Sequence, residues 1–350
     1  MQFTAKEISL LLNGDLEGNP DVKVHQLAKI EEAQEGSLSF LANPKYEAFL
    51  YTTNASVVIV NQDLIIDKPI SATIIRVKDA YSSFSILLDK YNSIKLDKKG
   101  IEELSFIHPK AKIGKDVYIG AFAYIAAGAV IGDGSKIYPH CYVGDDVKIG
   151  RQSTLHSGVK IYHDCVIGNR VTLHSSTVIG SDGFGFAPQA NGEYTKVSQI
   201  GNVIIEDDVE IGANTCIDRA TMGSTVIKKG VKLDNLIQIA HNAEIGQNTV
   251  IASQTGVSGS AKIGESSIIG GQVGIVGHIT LAKGTQIQAK SGINKSIEEE
   301  GKKWGGAPAT SYQNYMRSQV IIQRLPEMER KIEDLQKALA ALLENSVQKK

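Results

Sequence analysis

An apolar residue recurs at every sixth position over long stretches of the chain, and no other feature limits its fold so severely. From Ile113 the series runs through Ile119, Ile125, Ile131, Ile137, Val143, Ile149, Leu155, Ile161, Ile167 and Leu173 to Ile179 without a miss. It resumes at Ile205, Ile211 and Ile217, slips across Thr221 to Ser224, and continues every six residues from Ile227 to Ile293. A period of six fits neither the 3.6 of a helix nor the 2 of an isolated strand. It marks a β-helix of hexapeptide repeats, in which one apolar residue per short strand points inward and small residues such as Gly114, Gly132 and Gly264 turn the corners. Three hexapeptides close a coil of roughly 18 residues, and coils stack about 4.8 Å apart. The expected fold is therefore mainly β, a left-handed parallel β-helix, with an N-terminal α/β domain and a C-terminal helical tail.

Residues 1–100 lack the period and read as a separate domain, with strands expected over 56–60 and 72–77 and a helix around Tyr81 to Leu88. The repeat domain is expected over 101–296, opened by His108-Pro109. In the extension, 297–350, the breakers Gly305, Gly306 and Pro308 precede a helix expected from about Ser311. Its Leu325, Met328, Ile332, Leu335, Leu339 and Leu342 follow heptad spacing, which asks for partner helices. A three-sided prism with such a tail suits a homotrimer.

Composition narrows the function. Thirty-seven basic against 38 acidic residues leave a net charge of -1, so no nucleic-acid stripe or polybasic membrane patch shows in the totals. Cys141, Cys165 and Cys216 form no CxxC pair, which argues against a disulfide framework or a zinc ribbon. Neither an export signal nor an 18-residue apolar run is visible, so a cytoplasmic protein with no transmembrane segment is expected.

Of the eight histidines, His241 lies two residues after inward Ile239 and His278 three after inward Ile275. Those isoleucines are two coils apart, which places both imidazoles near one corner, about 10 Å apart along the axis. His156 and His174 are one coil apart and should stack, with a structural role. Gly259 stands one coil beyond His241.

The segment Leu233-Asp-Asn-Leu-Ile-Gln-Ile-Ala-His241-Asn242, with Gly277-His278, Phe40-Leu-Ala-Asn43-Pro-Lys-Tyr46, Ser181-Asp-Gly-Phe-Gly-Phe186 and Ile217-Asp-Arg-Ala220, resembles the UDP-3-O-acylglucosamine N-acyltransferases of lipid A synthesis. The resemblance covers the whole chain. It implies transfer of a 3-hydroxyacyl group from acyl carrier protein to the amine of a UDP-linked, O-acylated glucosamine. It also implies His241 as general base and His278 as a second active-site group, which orients the base, holds a substrate phosphate or completes the oxyanion site. A neutral imidazole is well matched to take the proton the attacking amine must shed. Gly259 is the candidate oxyanion donor, because main-chain N–H groups at glycine corners allow close approach. No nucleophile elbow is present, which favours direct attack on the thioester.

The same resemblance makes Phe40, Asn43 and Tyr46 the uracil site, two rings and an amide suited to a flat imide. Lys295, Arg317 and Arg324, within a locally basic stretch from Lys283 to Lys331, are the expected carrier-protein contacts. Gly292 is expected to leave the acyl groove open for long chains. No cofactor is expected to be bound permanently, since phosphopantetheine arrives on the carrier protein. A γ-type carbonic anhydrase would need a third histidine close to His241 or His278, and none is there, so no metal is expected. The sister O-acyltransferases lack a large N-terminal domain of this kind.

Overall fold

The computed structural model describes residues 2–95 and 98–347, which divide into two compact units, Met1–Asp97 and Lys98–Lys350. The first unit is built on a five-stranded sheet in the order Asp15–Glu17, Thr73–Val77, Val57–Asn61, Ser37–Leu41, Gln26–Leu27. Only the Asp15–Glu17 edge runs antiparallel. Val57, Val58, Ile59 and Val60 are all fully buried, because both faces of this central strand are covered. One face carries α1 (Ala5–Leu12), while α2 (Glu47–Leu50) belongs to the cluster on the other. Helix α3 (Ala80–Lys95) joins α1 through Ala80 and Leu87. Helix α1 starts at a capping box, Thr4 accepting from the Glu7 N–H and Glu7 from the Thr4 N–H.

The second unit is the left-handed parallel β-helix that the period requires, with three sheets of 9, 12 and 10 short strands. Ile119 pairs with Ile137, Ile125 with Val143 and Ile239 with Val257, so each inward residue stacks on its counterpart one coil away. From Ile119 to Ile293 the inward side chains are at most 4% exposed and form one continuous core. The corners repeat at the same interval. Asp116, Asp146, Asn214, Asn242 and Asn248 hold φ between 54° and 61°, a left-handed conformation that Asn and Asp tolerate better than most residues.

The solenoid begins at the expected limit and extends past the C-terminal one. Gly100–Ile101 and Phe106–Ile107 already pair with Tyr118–Ile119 and Tyr124–Ile125, ahead of His108. Beyond residue 296, Lys303–Gly305 adds a further strand with Trp304 opposite Ile287, because a large apolar side chain substitutes for isoleucine at the inward position. Helix α4 (Tyr312–Val347) follows, its contacts confined to the strands Lys303–Gly305 and Thr310–Ser311 among the stronger element pairs. Leu325, Met328, Ile332, Leu335 and Leu339 are 42–70% exposed, so among the described residues these heptad positions have no cover; the Leu342 side chain lies outside the described residues.

Two interruptions break the coil. Ile179 pairs with Ile217, not with the residue 18 further on, because the chain leaves the solenoid after Ser181 and forms the hairpin Phe186–Pro188/Tyr194–Lys196. A shorter departure follows Ala220, since Ile205 pairs with Ile227. Both open at the corner that carries His241, the first two coils before it and the second one coil before it.

Candidate active site

His241 is half-buried and immediately precedes the corner residue Asn242, whereas His278 is itself a corner residue, with φ 60°, and is exposed. Gly259 and Ser260 occupy the coil between them. The Ser260 N–H donates to the His241 carbonyl at 2.9 Å, and the His278 N–H to the Gly259 carbonyl at 3.0 Å. The three expected residues thus stack on successive coils.

Coil stacking also decides which main-chain donors remain open. At several corners the N–H at the second position after an inward residue is taken by a side chain from the next coil. Lys115 donates to Asp133 at 2.7 Å, Ala127 to Asp145 at 3.0 Å, Arg151 to Asn169 at 2.9 Å and Ala213 to Asn235 at 2.7 Å. Gly259 occupies this position, but the residue above it is Gly277, which has no side chain to offer. Among the described residues the Gly259 N–H has no acceptor. A Cβ built on Gly259 would lie 2.6 Å from His241 Cε1 and Nε2, so only glycine brings this donor beside the ring.

The tautomer of His241 follows from Asn242. The Asn242 Nδ2 donates to the Met222 carbonyl at 2.9 Å and its Oδ1 accepts from the Thr221 N–H at 3.1 Å, which fixes the amide orientation. The same oxygen is 3.3 Å from His241 Nδ1 and so favours a proton there, leaving Nε2, on the Gly259 side, free to accept one.

Asp218, within the quoted Ile217-Asp-Arg-Ala220 segment, was given no role by the sequence. It is 7% exposed and accepts from Ser181 Oγ at 3.0 Å and Gln238 Nε2 at 2.9 Å. Burial raises its carboxyl above the usual range, opposed by these hydrogen bonds and by the nearby His241. Arg219, 1% exposed, donates to the carbonyls of Gly180 at 2.7 Å and His163 at 3.2 Å. The signal that would have found this pair is the break in the six-residue phase on either side of it.

Beside the site runs a trench of about 520 Å³ floored by Gly256, Gly274 and Gly292 and ended by Ala307 and Pro308. A Cβ at Gly256 or Gly274 would meet nothing within 4 Å, and one at Gly292 only Ala307, at 3.8 Å.

In the first unit the expected aromatic pair is not brought face to face. Phe40 alternates with Ser39 onto the α3 side of its strand and stacks on Phe84, with centroids 4.1 Å apart. Tyr46 is 45% exposed beside Phe49. Asn43 caps the turn Pro44–Tyr46, its Oδ1 accepting from the Lys45 N–H at 3.1 Å, and lines a hollow of about 330 Å³ with Pro44, Asn61 and Asp63. Lys295, Arg317 and Arg324 are exposed and have no acidic partner among the described residues, whereas Lys283, Lys302 and Lys331 pair with Glu265, Glu299 and Glu327. His156 and His174 stack with centroids 5.0 Å apart, and His174 reaches Glu210 at 3.1 Å rather than a third imidazole.

A hexapeptide solenoid with a histidine set beside an open main-chain donor and a glycine-floored trench defines an acyltransferase of the hexapeptide class. The comparisons agree with it: models of the bacterial transferase hexapeptide match residues 110–145 and 146–181, and the hexapeptide repeat of succinyl-transferase matches 202–235. The model described as UDP-3-O-(3-hydroxymyristoyl) glucosamine N-acyltransferase, LpxD, matches residues 21–90. A UDP-3-O-acylglucosamine N-acyltransferase of Christiangramia forsetii is 58% identical over 97% of this chain and 99% of its own, and one of Porphyromonas gingivalis 53% identical over 98% of each. The chain belongs to the UDP-3-O-acylglucosamine N-acyltransferase family. An Arabidopsis UDP-N-acetylglucosamine acyltransferase structure, 20% identical, shares the fold with a TM-score of 0.55 over 61% of this chain and 73% of its own.

Proposed function

We propose that this acyltransferase moves a 3-hydroxyacyl group from acyl carrier protein to the 2-amine of UDP-3-O-(3-hydroxyacyl)-glucosamine, giving the UDP-2,3-diacylglucosamine of lipid A synthesis. The observation that carries the reading is the open Gly259 N–H beside His241 Nε2. The amine attacks the thioester carbonyl while Nε2 takes its proton, and the Gly259 N–H receives the oxyanion. Collapse of the intermediate breaks the C–S bond, and the proton returns to the departing phosphopantetheine thiol. His278, on the next coil, serves the oxyanion or a substrate phosphate. The acyl chain lies in the trench, with Gly292 leaving its far end open. Phe40, backed by Phe84, takes the uracil together with Asn43 and Tyr46, and Lys295, Arg317 and Arg324 receive the acidic carrier protein. The uncovered stripe of α4 supports a homotrimer. No helix among the described residues is long and apolar enough to cross a membrane, and the two co-substrates place the reaction in the cytoplasm.

The test is acyl transfer from a 3-hydroxyacyl carrier protein onto UDP-3-O-acylglucosamine. Wild type should form the diacyl product, and His241→Ala should lose about 10²- to 10⁴-fold in turnover. Near-normal turnover in the variant would remove His241 as base. Acylation of UDP-N-acetylglucosamine instead would overturn the acceptor.

A further inference from the structure

We propose that the segment 181–201, where the chain leaves the coil, is a positioning element for His241; the inference rests on reading His241 as the base. Its root is tied down firmly. The Arg219 N–H donates to the Ser181 carbonyl at 2.9 Å, the Ile200 N–H to the Thr221 carbonyl at 3.0 Å, and Thr221 Oγ1 to Gln199 Oε1 at 2.8 Å. The buried Arg219 guanidinium holds the Gly180 carbonyl from below. Between this root and the hairpin, Gly183 is buried against the histidine. A Cβ built there would lie 2.8 Å from His241 Cβ and 3.1 Å from Cδ2. With Gly259 bounding the Cε1–Nε2 end, the imidazole occupies a slot between two glycines. A side chain on either would turn the ring away from the open N–H.

The segment also reaches the site through hydrogen bonds. Its first residue, Ser181, donates to Asp218, which the pairing of Ile217 with Ile239 sets one coil before Ala240. The carboxylate is thus held by neutral donors, leaving its charge to favour the imidazolium that forms when the base takes its proton. The excursion therefore fixes both the rotamer of the base and the carboxylate beside it.

The experiment is steady-state kinetics on the full chain. Gly183→Ala should lower kcat by about 10²-fold, as misplacement of a catalytic group by roughly an ångström does, with KM for the nucleotide sugar within about twofold. Ser181→Ala, which adds no bulk and so keeps the test available if Gly183→Ala fails to fold, should lower kcat several-fold with KM unchanged. Asn191→Ala at the exposed hairpin tip should match wild type. If Gly183→Ala and Ser181→Ala keep wild-type kcat, or lose activity through KM alone, while His241→Ala is dead, the positioning role fails and the base assignment stands. If His241→Ala stays active, the base assignment itself has failed.

Discussion

The ten-stranded face of the solenoid is two different surfaces laid on one frame. In its first coils the outward side chains are Phe106, Tyr124 and Tyr142, stacked with centroids 4.7 and 5.7 Å apart. In its last coils the same positions are Gly256, Gly274 and Gly292. The inward neighbours hardly change: Ile107, Ile125 and Val143 in the first set, Val257, Ile275 and Ile293 in the second. A β-helix separates the two demands because alternate residues of each strand face opposite ways. Inward residues carry stability, and outward residues can be aromatic or absent without disturbing the stack.

If that separation holds, inward truncations should cost alike in both halves. Ile161 and Ile239 are both fully buried, so Ile161→Ala and Ile239→Ala should each lose about 2–5 kcal/mol in urea unfolding. A harmless Ile239→Ala would break the comparison, showing that the coils around the site are held by something other than their core. Outward changes should act on chemistry instead. Gly292→Met should shift the preferred donor to shorter acyl chains, because each methylene denied burial is worth about 0.8 kcal/mol, roughly fourfold in affinity. Competition among carrier-protein thioesters of graded length reads this directly. An unchanged length profile in the variant, or a wild-type optimum at the short end, would sink it.

The same separation explains what was legible in the sequence. Outside its two breaks the inward ladder repeats without a miss, so the solenoid and its register there followed from spacing alone. The strand at Trp304 escaped because it replaces isoleucine with an aromatic. His241, Gly259 and His278 are separated by near-whole coils, and arithmetic stacked them. Asp218 and Gly183 lie in segments that carried the resemblance, but their roles were hidden because each depends on the path of an excursion that obeys no period. The stacking of Phe40 on Phe84 was hidden for a related reason: strand alternation turns its ring toward Phe84, and that depends on how α3 packs.

Asp218 sharpens the contrast from the stability side. Its folded carboxyl is raised by burial, so the fold disfavours the ionised form. That cost is absent below the unfolded pKa of about 3.9, grows as pH rises through the folded value, and is fully present at neutrality. Asp218→Asn should therefore be more stable than wild type at pH 7, with the difference closing toward pH 4, while its turnover falls. Urea midpoints at both pH values check the first part, and equal stability at pH 7 would show that the carboxylate's hydrogen bonds already offset its burial.

The smallest effect expected concerns a histidine in the regular coils, where the same side chain as the base has a different task. His156 lies between Tyr138 and His174, with ring centroids 5.3 and 5.0 Å away. Burial lowers its pKa, and the neighbouring His174 lowers it further. A base depressed in the fold favours the native state above the unfolded pKa of about 6.5, and that contribution is lost as pH falls toward the folded value. Wild type should thus lose stability between pH 7 and pH 5 by more than His156→Gln does, because glutamine takes no proton in either state. Turnover at pH 7.5 should be the same in both proteins, since the ring contacts of His156 are to Tyr138 and His174 alone among the described residues. Equal losses on acidification would mean that other groups dominate this range, whereas a drop in turnover would extend the site into coils whose outward ladder reads as structural.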